Sequence, residues 1–124
     1  MEFRKHNTQF TNEENEILIS ILKRRTLKLT AHARERMTEK HISMLELNQA
    51  MKNFEIVEFH YKDGDCRLLI KSKPAFGNRN IKLVISMNNN QIITTYANSK
   101  NDNHATLDWT LYNSNINLIK YLTN

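Results

Sequence analysis

Apolar residues recur at helical spacing in the first part of the chain. In one stretch they lie three or four positions apart, as a helix requires for residues on one face: Ile17, Leu18, Ile21 and Leu22. Thr11 and Glu14 stand just before this stretch at the spacing of a capping box, so we predict a helix over residues 12–25. Thr30 is a second capping residue, and it predicts another helix that ends near Lys40.

A third helix is predicted from Ser43, which forms another capping-box pattern with Glu46, to about Met51. The apolar positions of this helix fall on one stripe that we expect to be buried: Met44, Leu47 and Met51. At the end of the chain, a short helix is predicted over residues 116–122.

After Asn53 the pattern changes to the alternation that is typical of strands. Four strands are predicted, over residues 54–61, 66–73, 81–87 and 91–97. The Lys62-Asp-Gly-Asp65 segment is a strong turn signal between the first two, and Asn88-Asn-Asn90 joins the last two. We therefore predict one α+β domain over residues 1–124, in which N-terminal helices pack on a four-stranded antiparallel sheet.

Alternation gives this sheet an apolar side and a basic side. The apolar side is predicted to pack on the helices and contains Cys66, Leu68, Ile70, Ile81, Leu83, Ile85 and Met87. The basic side is expected to be open and carries Arg67, Lys71, Lys73 and Lys82. Two interpretations remain for it, since a basic face attracts phosphate but lysines on exposed strands also prevent edge pairing. In the last strand Thr94 and Tyr96 share one face, and Thr95 points to the other.

Composition limits the classes of function. The formal net charge is +5 and the pI is near 9.4, which favours a polyanionic partner such as nucleic acid or an acidic protein. Cys66 is the only cysteine, so an intramolecular disulfide and a cysteine-rich zinc site are excluded. The histidines lack zinc spacing, so no metal or other cofactor is expected. With no apolar leader and no run of membrane-spanning length, the protein is expected to be cytoplasmic.

Between Thr30 and Met37 lies a segment with chemistry-bearing side chains. His32 and Arg36 are four residues apart and share a face if the segment is helical, while Ala33 forms a separate apolar stripe with Met37. Imidazole exchanges protons near neutral pH, and guanidinium is a good planar partner for phosphate. The segment therefore indicates either phosphodiester chemistry or an ordinary solvated helix face. The basic run over residues 23–25 also has two interpretations: it could bind phosphate, or its positive charge could stabilise the C-terminal end of a helix.

Three short motifs carry a resemblance to a known family: His32-Ala33-x-Glu35-Arg36-Met37, Ile42-Ser43 and Ile93-Thr94-Thr95-Tyr96. They resemble an uncharacterised bacterial and phage domain family whose opening typically runs HAxERMxERGIS. That family looks related to the RelE-like endoribonuclease toxins and to the wider barnase, EndoU, colicin and RelE fold group. The resemblance covers residues 29–97. One departure is that Lys40-His41 replaces the expected Arg-Gly, so the turn must form without glycine.

The resemblance implies a RelE-like fold and metal-independent RNA cleavage by attack of the 2′-hydroxyl. His32 would act as base or acid, Arg36 and Arg67 would stabilise charge, and Tyr96 or His104 would be the second proton-transfer group. The other residues assigned to RNA binding are Arg34, Lys71, Lys73, Lys82 and Thr94. RNA is thus the expected partner, with a cognate antitoxin or host protein as a further one. The alternative is a non-catalytic binder of RNA or of an acidic host protein, such as a phage-encoded inhibitor, and a third hypothesis is a purely structural domain.

Overall fold

Six strands form one sheet in the part of the chain that the structure describes. The computed structural model describes residues 2–72, 79–99, 112–113 and 115–122, and for residues 79 and 96–99 it describes the backbone. The strands are β1 (Glu2–His6), β2 (Lys28–Leu29), β3 (Phe54–Lys62), β4 (Asp65–Ser72), β5 (Arg79–Ser86) and β6 (Gln91–Ser99). Their order across the sheet is β1-β3-β4-β5-β6-β2, and β2 pairs parallel with β6 while the other neighbours are antiparallel.

Three helices begin at the predicted capping residues, and the fourth, predicted over residues 116–122, begins three residues later than predicted. They are α1 (Asn12–Arg24), α2 (Ala31–Glu39), α3 (Met44–Lys52) and the short α4 (Ile119–Leu122). Thr11 and Ser43 each form the predicted capping box, and the side chain of Thr30 accepts a hydrogen bond from the backbone of Ala33. These side chains satisfy backbone N–H groups that have no partner inside the helix, so the predicted starts are confirmed.

The sheet is larger than predicted, because the expectation of four strands missed both edge strands. The sequence of β1 does not show the apolar alternation of a strand, because its second buried position is Lys5, which forms a buried ion pair with Glu14. A strand of two residues such as β2 is too short to show any period. The α+β class is confirmed, whereas the four-stranded sheet is corrected to six strands.

One face of the sheet packs against the helices and forms the core. The predicted apolar positions of β4 and β5 are buried there with residues of α1, α2 and α3: Leu18, Leu22, Ala33, Met37, Leu47, Leu68, Ile70, Leu83 and Ile85. In α3 the predicted stripe is wrong at Met44, which is 54% exposed. The buried stripe of this helix begins one turn later at Leu47 and continues to Ala50.

The opposite face, which we call the outer face, is less open than predicted. It carries a small apolar cluster in which Val57 and Leu69 are buried and Val84 packs against them. Lys82 is 1% exposed, so the predicted open basic face is corrected at this position. Alternation placed these residues on the right side of the sheet, but it could not show how much of that side is covered.

The turn after α2 forms without glycine, as the sequence requires. His41 adopts a left-handed conformation with φ of 54°. The backbone N–H of Ile42 then donates to the carbonyl of Met37 at 2.9 Å, and that of His41 donates to the carbonyl of Thr38 at 3.3 Å. This is the hydrogen-bond pattern of a Schellman motif, in which glycine usually occupies the left-handed position.

Replacing His41 with glycine should stabilise the protein by about 0.5–1 kcal/mol, because glycine removes a left-handed strain of about 1–2 kcal/mol and adds a smaller entropy to the unfolded chain. Urea unfolding followed by circular dichroism measures the change. Lys40→Gly is the matched control, since Lys40 has φ of −98° and glycine there relieves nothing. An unchanged or lower stability of His41→Gly would contradict the strain argument.

Candidate nucleic-acid interface

Helix α2 is anchored to the edge of the sheet by its first residues. The backbone N–H of Thr30 donates to the carbonyl of Ile92 at 3.1 Å, and its hydroxyl donates to the carbonyl of Ile93 at 2.9 Å. On the underside of the helix, the Thr95 hydroxyl donates to the carbonyl of Ala33 at 3.5 Å. These contacts hold α2 on the core side of β6 and set the direction of its other side chains.

The chemistry-bearing side chains of α2 point away from the core. Because Ala33 and Met37 are buried, His32 and Arg34 are exposed and Arg36 is half-buried. One guanidinium nitrogen of Arg36 pairs with Glu39 at 3.2 Å, while its buried Nε has no hydrogen-bond partner among the residues that the structure describes. The predicted placement of His32 and Arg36 on one helical face is therefore confirmed.

Basic residues of the outer face are engaged with nearby carboxylates. Arg67 Nε lies 2.9 Å from Asp65, whose other oxygen accepts a hydrogen bond from Ser86 at 2.8 Å. Lys71 lies 3.8 Å from Glu55. Half of the predicted basic face thus has local counter-charges, which reduce its attraction for phosphate.

The sheet separates the two predicted halves of the site. Val84 and Thr94 are paired in register, so Thr94 lies on the outer face with Arg67 and Lys71, whereas α2 and His32 lie on the core side. The backbone of Tyr96 pairs with Lys82, which assigns it to the outer face by register. Predictions for Lys73, for His104 and for the side chain of Tyr96 lie outside the described residues. His32 and Arg67 are therefore not brought together on one surface.

The positive charge of the chain is concentrated in one segment. Residues 23–41 contain seven of the 18 basic residues and two of the 13 acidic ones, so the remainder holds eleven of each and is electrically balanced. The seven are Lys23, Arg24, Arg25, Lys28, Arg34, Arg36 and Lys40, and we refer to their exposed parts together as the basic surface. All are exposed except Arg36, which is half-buried. The segment runs from the last turn of α1 through the edge strand β2 to the end of α2.

Sequence reasoning missed this surface as a candidate site. The run over residues 23–25 has two interpretations in sequence alone, and Lys28 belongs to none of the sequence motifs. Counting charge by segment would have found it, because the net charge of residues 23–41 equals that of the whole chain. The helix-end interpretation also holds, since cations suit the last turn of α1, and the two roles are compatible.

Two other features are absent from the described ranges. Those residues contain no group of three or more His, Cys, Asp or Glu side chains placed to hold a metal ion. Nor does any helix described here have the length and apolar character needed to cross a membrane.

A family model matches residues 29–97, more than half of the chain. The chain therefore belongs to the family described as Domain of unknown function (DUF4258). The matched range contains α2, α3, β3, β4, β5 and most of β6, whereas β1, α1 and α4 lie outside it. No curated protein and no solved structure matches the chain. Because the family description names no activity, the relation to RelE-like toxins stays a prediction.

Proposed function

We propose that this protein binds RNA through the basic surface. The concentration of the whole net charge into residues 23–41 carries the proposal. Neutralising a phosphate backbone releases its condensed counterions, and this release supplies much of the affinity of any protein for nucleic acid. The outer face is the weaker candidate, because Arg67 and Lys71 lie beside carboxylates and Lys82 is buried.

The chemistry of the basic surface favours phosphate. Four of its seven cations are arginines, and one planar guanidinium group can donate two hydrogen bonds to the oxygens of one phosphate. His32 lies among them on the exposed side of α2, where it can contact a bound strand. An acidic protein is the other polyanion that such a surface attracts. The binding experiment described next distinguishes it from RNA.

Binding of a fluorescent single-stranded RNA should weaken steeply as salt rises. If all seven cations contact phosphate, the slope of log K against log salt approaches about −5, since each contact to a single strand contributes about −0.7. Titrations in EDTA at several NaCl concentrations measure it. A flat salt response, or no binding at low salt, would contradict the proposal, and capture of one acidic protein without RNA would favour the other partner.

A second candidate function is metal-independent RNA cleavage on the same surface. The observation that favours it is the placement of exposed His32 one helical turn from Arg36. In this reaction the 2′-oxygen attacks phosphorus, the bond to the 5′-oxygen breaks, and the products are a cyclic phosphate and a 5′-hydroxyl. His32 would take or give one proton and Arg36 would stabilise the phosphorane. The second proton-transfer group would be His104, because the backbone register places Tyr96 on the opposite side of the sheet from His32.

If the protein cleaves RNA, His32→Gln should reduce the rate by about 10²–10⁴-fold, because glutamine keeps hydrogen bonding but exchanges no proton. Arg36→Ala should also reduce it. Incubation of total RNA with excess protein in EDTA, followed by electrophoresis, measures cleavage. Glu35→Ala is the matched control on the same helix. Intact RNA with wild-type protein that still binds it would eliminate cleavage and leave the binding function.

A further inference from the structure

A cavity of about 390 Å³ opens at the end of the sheet where the β3–β4 and β5–β6 turns approach α4. Its lining includes Arg25, Tyr61, Cys66, Asn88, Asn90 and Tyr121. The volume is within the range of small-molecule sites, about 300–1,000 Å³. A cation, two aromatic rings and amide groups therefore meet in a space large enough for an organic ligand.

Aromatic side chains form one wall of the cavity. The rings of Tyr61 and Tyr121 have centroids 5.0 Å apart and are tilted by 56°, so they contact each other and leave no slot between them. Phe3 supports both rings from behind, at 5.3 Å from Tyr61 and 5.2 Å from Tyr121. A planar ligand can therefore stack against the wall on one side only.

Among the amide side chains, Asn88 has a structural role and Asn90 is available. Asn88 accepts a hydrogen bond from the backbone of Cys66 at 3.1 Å and donates to the carbonyl of Gly64 at 2.7 Å, so both of its polar atoms are used. Asn90 accepts one from Arg25 at 2.9 Å. Its amide nitrogen donates to no other described residue and remains free for an acceptor on a ligand.

Arg25 connects the cavity to the basic surface. Its Nη1 donates to the carbonyl of Met87 as well as to Asn90, which fixes the guanidinium at the rim. Its other N–H groups donate to no residue in the described part of the chain and can bind an anion. Because Arg25 also belongs to residues 23–41, a strand bound along the basic surface passes this rim.

We propose that the cavity binds one nucleotide unit, with the base stacked on the Tyr61 and Tyr121 wall and the phosphate paired with Arg25. The Asn90 amide would donate to an acceptor on the base. Stacking on aromatic side chains is the common way in which proteins hold unpaired RNA bases. The inference rests on the proposed RNA binding for its source of nucleotide, and a free mononucleotide offers the same chemistry.

Cys66 provides an internal reporter for the cavity. Burial raises the pKa of its thiol, the nearby Asp65 charge raises it further, and the charge of Arg25 opposes them. The thiol is therefore neutral at physiological pH and only 4% exposed, so it should react slowly with thiol reagents. As the single cysteine of the chain, it makes any labelling specific to this site.

Titration of isotope-labelled protein with 5′-AMP, and separately with single-stranded RNA, tests the inference by NMR. The amide signals of Gly64, Asn88 and Asn90 should shift with both ligands, and labelling of Cys66 should slow. Asn90→Gly should weaken 5′-AMP binding severalfold without backbone strain, because Asn90 has φ of 52°. Asn89→Gly in the same turn is the matched control, since Asn89 does not line the cavity.

Stacking is tested at Tyr121. Tyr121→Leu should weaken nucleotide binding about tenfold or more, whereas Tyr121→Phe keeps the ring and most of the affinity. If the amide signals of Gly64 and Asn88 shift with neither ligand, the inference is overturned. RNA that binds without those shifts would also overturn it and leave the proposed function standing. 5′-AMP that binds here while RNA does not bind would support the cavity and eliminate the proposed RNA binding.

Discussion

Replacing Arg24, Lys28 and Arg34 together with glutamine should reduce the salt dependence of RNA binding from a slope of about −5 to about −3. All three are exposed and lie on the last turn of α1, on β2 and on α2. Between 50 and 200 mM salt, the wild type would lose about 10³-fold in affinity and the variant about 50-fold. Arg25 and Arg36 are left unchanged, because Arg25 donates a hydrogen bond to Asn90 and Arg36 already pairs with Glu39.

The matched control removes three charges from elsewhere. Lys52→Gln, Lys62→Gln and Lys71→Gln together lower the net charge by the same amount but leave the basic surface complete. Its slope should stay near that of the wild type. An equal loss of RNA affinity in both triple variants would show that binding depends on total charge alone. A larger loss of affinity in the control would indicate that RNA binds at the outer face.

Lys5→Met should destabilise the fold by about 3–5 kcal/mol, because it leaves a buried carboxylate without its cation. Lys5 Nζ lies 2.8 and 2.9 Å from the two oxygens of Glu14, and the two side chains are 3% and 2% exposed. The pair also holds the end of the chain, since Lys5 donates to the carbonyl of Ile116 and Glu14 accepts from the backbone of Leu118. Urea unfolding followed by circular dichroism measures the loss.

Two further variants make the result specific. The double variant Lys5→Met and Glu14→Gln should cost less than the sum of its single variants, since no buried charge is left unpaired. Glu39→Gln, which breaks the exposed pair with Arg36, should cost about 0.5 kcal/mol or less. Strict additivity of the double variant would contradict the assigned pairing.

Acid should weaken the ion pair between Lys5 and Glu14 by protonating the Glu14 carboxylate. Burial raises the pKa of Glu14, but hydrogen bonds from Lys5 and from the backbone of Thr11 and Leu118 outweigh it and lower the pKa below its ordinary value of 4.5. A lowered folded-state pKa gives stability that is complete above pH 4.5 and is lost as pH falls through the folded value. Glu14→Gln should remove this part of the acid sensitivity.

Local rules predicted the helices well, because their determinants are close in sequence. Thr11, Thr30 and Ser43 cap α1, α2 and α3 through hydrogen bonds that span three residues. The β3–β4 turn follows in the same way from Asp63 and Gly64, which both have positive φ. The placement of His32 and Arg36 on one face of α2 needed only the helical period.

Edge strands and buried charges were hidden from the same rules. Lys5 reads as a surface residue until Glu14, nine positions away, is placed against it. Lys82 reads as part of an open basic face, yet it is almost completely buried. Alternation shows the side of the sheet to which a residue points, but the cover on that side depends on distant segments.

The sequence by itself determined the α+β class, the caps, the main strands and the net positive charge, since these follow from local hydrogen bonding, periodicity and composition. Only the tertiary structure decided that α2 and the outer face lie on opposite sides of the sheet. It also brought Arg25, Tyr61 and Tyr121 around one cavity. The physical reason is that β-pairing and packing join segments far apart in the chain, and no local pattern records which segments will meet.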